Sequence, residues 1–145
     1  MKLRIFSMLV LSFLVLNSFS QTLTPQWTTT DGLKTPESVL YDSETNSIYV
    51  SNINGQAAEK DGNGFISILG IDGKVKTLKW VSGLNAPKGL AIYNGNLYVA
   101  DIDELVIINM KEVKITKRIK QEKAIFLNDV TVAEDGTIFV SDTRD

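Results

Sequence analysis

The feature that most constrains this chain is a sentence it repeats three times. Pro36–Asn52 reads PESVLYDSETNSIYVSN, Pro87–Asp101 reads PKGLAIYNGNLYVAD, and Leu127–Asp142 reads LNDVTVAEDGTIFVSD. Each copy has a polar pair ahead of an apolar residue (Val39, Leu90, Val130). A turn follows, then an aliphatic–aromatic pair (Ile48-Tyr49, Leu97-Tyr98, Ile138-Phe139), a Val, and a closing Asn52, Asp101 or Asp142. The copies start roughly 51 and 40 residues apart, a period that belongs to propeller blades or solenoid coils.

The turns between apolar runs are hairpin chemistry. Asn94-Gly95 is the strongest, with Asp72-Gly73 and Glu134-Asp135-Gly136 beside it. Strands are expected at 37–41, 48–51, 65–70 and 74–80, which is one meander of four. A second set is expected at 88–93, 96–101, 104–109 and 113–120, and two further strands at 129–133 and 137–141. Gln21–Leu33, Thr-rich with Trp27, suits an edge strand, and Ser82–Pro87 reads as a connection. Lys114, Thr116, Lys117 and Lys120 mark 113–120 as an outer strand guarded against further pairing. No sustained helical period occurs beyond the first residues. The expected class is all-β, a partial β-propeller of about two and a half four-stranded antiparallel blades. Since such a count cannot close a ring, residues 21–145 are expected to be the N-terminal part of a longer propeller domain.

Residues 1–20 carry Lys2 and Arg4, an apolar run too short to span a bilayer, and small residues at Ser18 and Ser20. This is a signal peptide with cleavage before Gln21, so the protein is expected to be secreted or periplasmic with no membrane span afterwards. The chain has no Cys, so its fold does not lean on disulfides. Losing Lys2 and Arg4 leaves 13 of its 15 basic residues against 17 acidic ones, a net of −4, which disfavours nucleic acid. The absence of His rules out Ser–His and Cys–His nucleophile systems, so chemistry here falls to carboxylates, amides, Lys or a hard cation.

Aligning the three units puts Glu37, Lys88 and Asn128 at one position on the innermost strand, where successive blades converge on a central channel. Glu37, Asn128 and the adjacent Asp129 offer oxygen donors suited to calcium or magnesium. Blander readings stand beside this one. Glu37 is a solvated acid paired with Lys88; Asn128-Asp129 is a turn pair bonding local backbone; Asp61-Gly62-Asn63-Gly64 is a tight turn lacking the downstream acid of a calcium loop. Trp27, Trp80, Tyr49, Tyr98 and Phe139 read as packing aromatics. Asn52, Asp101 and Asp142 read as structural residues bonding turn backbones.

On Glu37-Ser38-Val39-Leu40-Tyr41-Asp42, Ile48-Tyr49-Val50 and Asn128-Asp129 with Asp135-Gly136, the sequence resembles the SMP-30/gluconolactonase/luciferin-regenerating-like family of six-bladed propellers. The resemblance runs over about 34–143. It departs from the family at Pro36, where members have Gly before the acid. It implies a divalent metal, calcium first with magnesium or zinc as alternatives, held by Glu37 and Asn128. Asp129 and Lys88 would line the substrate site. The activity implied is hydrolysis of a small-molecule substrate such as a sugar lactone. The catalytic carboxylate and remaining ligands are expected beyond residue 145, so this chain alone is expected to be inactive. The alternative is a non-catalytic propeller of the NHL type that binds a ligand or protein partner, for which the long loop 52–64 and Lys88 speak.

Overall fold

The structure, a computed structural model, describes residues 22–144; the signal-peptide reading of residues 1–20 lies outside them. The described residues form ten strands and no helix. β1 (Pro36–Asp42), β2 (Ser47–Asn52), β3 (Gly64–Gly70) and β4 (Val75–Leu84) make one antiparallel meander in sequence order. A second consists of β5 (Pro87–Tyr93), β6 (Asn96–Asp101), β7 (Glu104–Asn109) and β8 (Lys114–Lys120). β9 (Leu127–Val132) and β10 (Ile138–Asp142) pair as a third, two-stranded sheet. The inner strands β1, β5 and β9 lie side by side, so the sheets are successive blades around one axis.

Local chemistry explains the elements. Asn94 and Gly95 both have positive φ, 46° and 69°, the conformation a two-residue hairpin needs to match strand twist. Along β5, β6 and β7 the side chains alternate between two apolar clusters. Leu90, Ile92, Leu97, Val99, Val106 and Ile108 pack towards blade 1, meeting Tyr49, Ile66, Val81 and Leu84. Ala91, Tyr93, Tyr98, Leu105 and Ile107 pack towards Val130, Val132 and Ile138 of the third sheet. A period of two on a sheet buried on both faces produces near-continuous apolar strands. Tyr49 and Trp80 meet edge to face, with centroids 5.1 Å apart, within the first cluster.

Two expectations need correction. The segment up to Leu33 forms no strand. It crosses the outer side of blade 1, where Trp27 Nε1 donates to the Ile71 carbonyl at 2.8 Å. The indole lies against Gly73, whose Cβ, if present, would stand 2.5 Å from it. Side-chain anchoring stands here in place of ladder pairing. Ser82–Leu84, expected as connection, continues β4, because Gly64 pairs with Leu84 and Phe65 with Ser82. Pairing overrides the turn propensity of Ser82-Gly83.

The third sheet covers only part of blade 2. A cleft of about 580 Å³ remains, lined by Leu105 and Ile119 on one side and Leu127 and Val140 on the other.

Candidate functional site

All three inner strands carry the same irregularity. Pro36 pairs with Asn52 and Val39 with Val50, so Glu37 and Ser38 together oppose Ser51 alone. Lys88 and Gly89 likewise oppose Ala100, and Asn128 and Asp129 oppose Ser141. Each is a bulge with two residues against one, a device that re-aims side chains at the mouth of a sheet. The equivalence of Glu37, Lys88 and Asn128 read from the repeat is therefore present in the backbone register.

The closing residues hold these bulges in place. Asn52 Oδ1 accepts the Lys34 N–H at 2.9 Å. Asp101 accepts Asn85 N–H at 2.9 Å and Ala86 N–H at 2.7 Å, and Asp142 accepts Ile125 N–H at 2.7 Å and Phe126 N–H at 3.0 Å. In each unit the last residue of the second strand caps the turn leading into the first. Within the bulges, Ser51 Oγ accepts Ser38 N–H at 3.0 Å and Ser141 Oγ accepts Asp129 N–H at 3.1 Å. The middle unit has Ala100 there and a glycine opposite it. Gly89 is needed for space: a Cβ would stand 2.3 Å from Asp129 Oδ1 and 2.5 Å from Asp129 Cα. That absent methyl lets the bulges of β5 and β9 touch.

The side chains then divide. Glu37 is exposed at the entrance to β1, and its carboxyl lies above the usual Glu range. Partial burial is the main cause; Lys88 opposes it and the charge of Asp129 adds to it. Lys88 is 1% exposed; its Nζ donates to the Ala86 carbonyl at 2.8 Å and sits 4.3 Å from the centre of the Phe126 ring. Burial lowers its pKa, opposed first by Asp101 and then by Glu37. Asp129 is exposed and its Oδ1 accepts the N–H of Val130 at 2.9 Å, the local bonding expected of a turn residue. Asn128 is half-buried, and its side chain joins none of the hydrogen bonds among the described residues.

The arrangement therefore gathers Glu37, Lys88 and Asp129 into one electrostatic neighbourhood. It also adds two residues that sequence reasoning missed. Phe126, with Arg144 4.6 Å from its ring, forms an aromatic wall beside Lys88. Its only sequence signal is its place just before the third unit. Ala86 supplies the carbonyl that Lys88 uses, a backbone role no side-chain pattern displays. The Asp61–Gly64 loop is an Asx turn, with Asp61 Oδ1 accepting Asn63 N–H at 3.1 Å and Asn85 Oδ1 accepting Gly62 N–H at 3.2 Å. Lys60 on the same loop pairs with Asp103 of blade 2 at 2.6 Å, so the long loop lies against the neighbouring blade.

As donors for a hard cation, Glu37, Asn128 and the outer oxygen of Asp129 are correct in type. They are few for an ion that takes six to eight oxygens. Among the described residues no group of three or more Asp, Glu, His or Cys converges on one point. No helix of the described residues is long and apolar enough to cross a membrane.

No known family profile and no curated protein matches the sequence. Among solved structures, the crystal structure of a nidogen/laminin complex contains a similar chain, with a TM-score of 0.58 and 20% identity. The similarity covers 77% of this chain and 40% of that one. At that identity it speaks for the fold alone, and with the three sheets it shows a partial β-propeller built of antiparallel blades.

Proposed function

We propose that the bulge ring is one side of a small-molecule site in an exported propeller, where Glu37 and Asn128 take a divalent cation, calcium before magnesium or zinc. The reaction served is hydrolysis of a lactone or related ester. The observation that carries this reading is that two side-chain heads with no protein hydrogen bond among the described residues, a carboxylate and an amide, occupy matched bulge positions. Glu37 also feels the negative charge of Asp129, which a cation would relieve. A metal bound there would act as a Lewis acid on the ester carbonyl. The chain's own residues would orient: Asn128 by its amide oxygen, Asp129 as a polar wall, and Lys88 as a fixed positive charge beside the developing oxyanion.

A second reading rests on Lys88. A cation already buried among Glu37 and Asp101 does part of what a metal would do, and this suits a non-catalytic NHL-like propeller that holds a ligand or protein. The solved structure similar in fold is titled as a complex of nidogen with laminin, a binding context for that protein. Calorimetric titration of calcium into the folded chain separates the two. The first reading expects binding that Glu37→Gln weakens at least about tenfold, the loss of one charged ligand. Absence of heat at millimolar calcium, with the fold intact by circular dichroism, would remove Glu37 and Asn128 as a cation site within this chain and favour the second.

A further inference from the structure

Lys88 and Asp101 share a blade, and both are withdrawn from water, at 1% and 0% exposure. A charge so buried needs a counter-charge or fixed dipoles. Both are tied to one residue. Ala86, itself fully buried, gives its N–H to Asp101 Oδ1 at 2.7 Å and its carbonyl to Lys88 Nζ at 2.8 Å. Pro87 follows it and restricts its backbone to extended conformations, so the carbonyl has little freedom once the N–H is held.

We propose that Asp101 is a positioning residue for Lys88, aiming the Ala86 carbonyl at the ammonium and supplying the buried negative charge that keeps it a cation within the ring. The other two units show why this exceeds turn capping. Asn52 caps the equivalent turn without a charge, beside a ring residue, Glu37, that is anionic. Asp142 is only half-buried, and its unit's ring residue, Asn128, is neutral. The unit whose ring residue is a buried cation is the one whose cap is a fully buried carboxylate. Glu37 from β1 also acts on Lys88, Arg144 shares the Phe126 ring with it, and Asp129 of the β9 bulge lies against the adjoining Gly89. Behind Asp101 stands Arg118 Nη1 at 3.8 Å, which also pairs with Glu104. Burial pulls Lys88 towards the neutral amine, and Asp101 is the strongest opposing charge.

The inference rests on Lys88 lining the ligand site, but its test uses neither calcium nor ligand, so either can fail alone. The test follows the titration of Lys88 in the full chain, by nitrogen-15 lysine resonances or by pH-resolved acetylation read by mass spectrometry. Asp101→Asn keeps an amide that unit 1 already accepts at Asn52, and the Lys88 midpoint should fall. Arg118→Gln removes a charge that competes for Asp101, and the midpoint should rise. Asp135→Asn, at a carboxylate that caps the outer turn of unit 3 through the Thr137 N–H, should leave it in place. An unmoved midpoint in a folded Asp101→Asn protein would overturn the proposal, as would a fall in both variants. If Asp101→Asn does not fold, the Arg118→Gln arm decides: a rise supports the coupling, and no rise ends it.

Discussion

Blade 2 and the two-stranded third sheet carry nearly the same words with opposite outcomes. In β6, Tyr98 and Val99 of LYVAD are 9% and 0% exposed; in β10, Phe139 and Val140 of IFVSD are 57% and 36% exposed. The hydrogen-bonding register of the hairpins is the same, bulge included. What differs is company: blade 2 has a sheet against each face, and β10 has a paired strand on one side only among the described residues. The motif specifies the hairpin, and the neighbours decide how much stability its apolar residues deliver.

The sharpest way to break that contrast is to truncate one apolar side chain in each sheet. Leu97→Ala, in the fully buried first cluster, should cost about 2–5 kcal/mol by chemical denaturation, the range for Leu→Ala in close-packed cores. Val140→Ala should cost well under about 1 kcal/mol, since its side chain is part-solvated and lines the open cleft. Equal losses at the two sites would mean that the third sheet is as tightly packed as blade 2. Next in size is Gly89→Ala, which forces a methyl against Asp129 where the bulges of β5 and β9 meet. A loss of about 1–3 kcal/mol is expected, with the amide signals of Asn128 and Asp129 displaced most. A neutral result would show that the two inner strands do not press on each other there.

The smallest effect is a pH contrast between caps. The Asp142 carboxyl is held below the ordinary Asp range, first by the backbone N–H of Arg144 and also by Ile125 and Phe126. A depressed acid contributes stability that is present above its unfolded value and is lost as pH falls through its folded one. Asp101 is raised by burial against its own backbone hydrogen bonds, so its charge opposes folding above its unfolded value, and protonation on acidification relieves that opposition. Hydrogen-exchange protection, corrected for intrinsic rates, should therefore decline at Ile125 and Phe126 as pH drops below the Asp range. Asn85 and Ala86 should not follow. Parallel decline at both turns would refute the opposed signs.

Much of the fold was legible because the repeat is local. Asn94-Gly95 imposes its turn, aliphatic–aromatic pairs favour strands, and the polar pair before each inner strand marks the bulge. The structural role read for Asn52, Asp101 and Asp142 is the one observed, as is the plain turn at Asp61–Gly64. Where the reading slipped, a partner distant in sequence was responsible. Ser82–Leu84 became strand because β3 lies beside it, and the segment around Trp27 gave up ladder pairing for a hydrogen bond to Ile71. Phe139, read as a packing aromatic, stands largely in solvent because its face of β10 has no sheet against it among the described residues. Asp129 accepts the backbone N–H of the next residue, Val130, as the blander alternative held, whereas the Asn128 side chain makes no such bond among the described residues.

By itself the sequence determined the repeating hairpin, its turns, its caps and the three matched positions, since all of these depend on residues within one unit. Tertiary structure alone decided which of those positions is buried and what charge surrounds it. Lys88 is drawn beneath Phe126 of the next unit, Glu37 is left at the exposed entrance of β1, and Gly89 yields its space to Asp129. Burial and Coulombic coupling act through space between blades, and no pattern within a single copy of the repeat encodes which neighbour will be there.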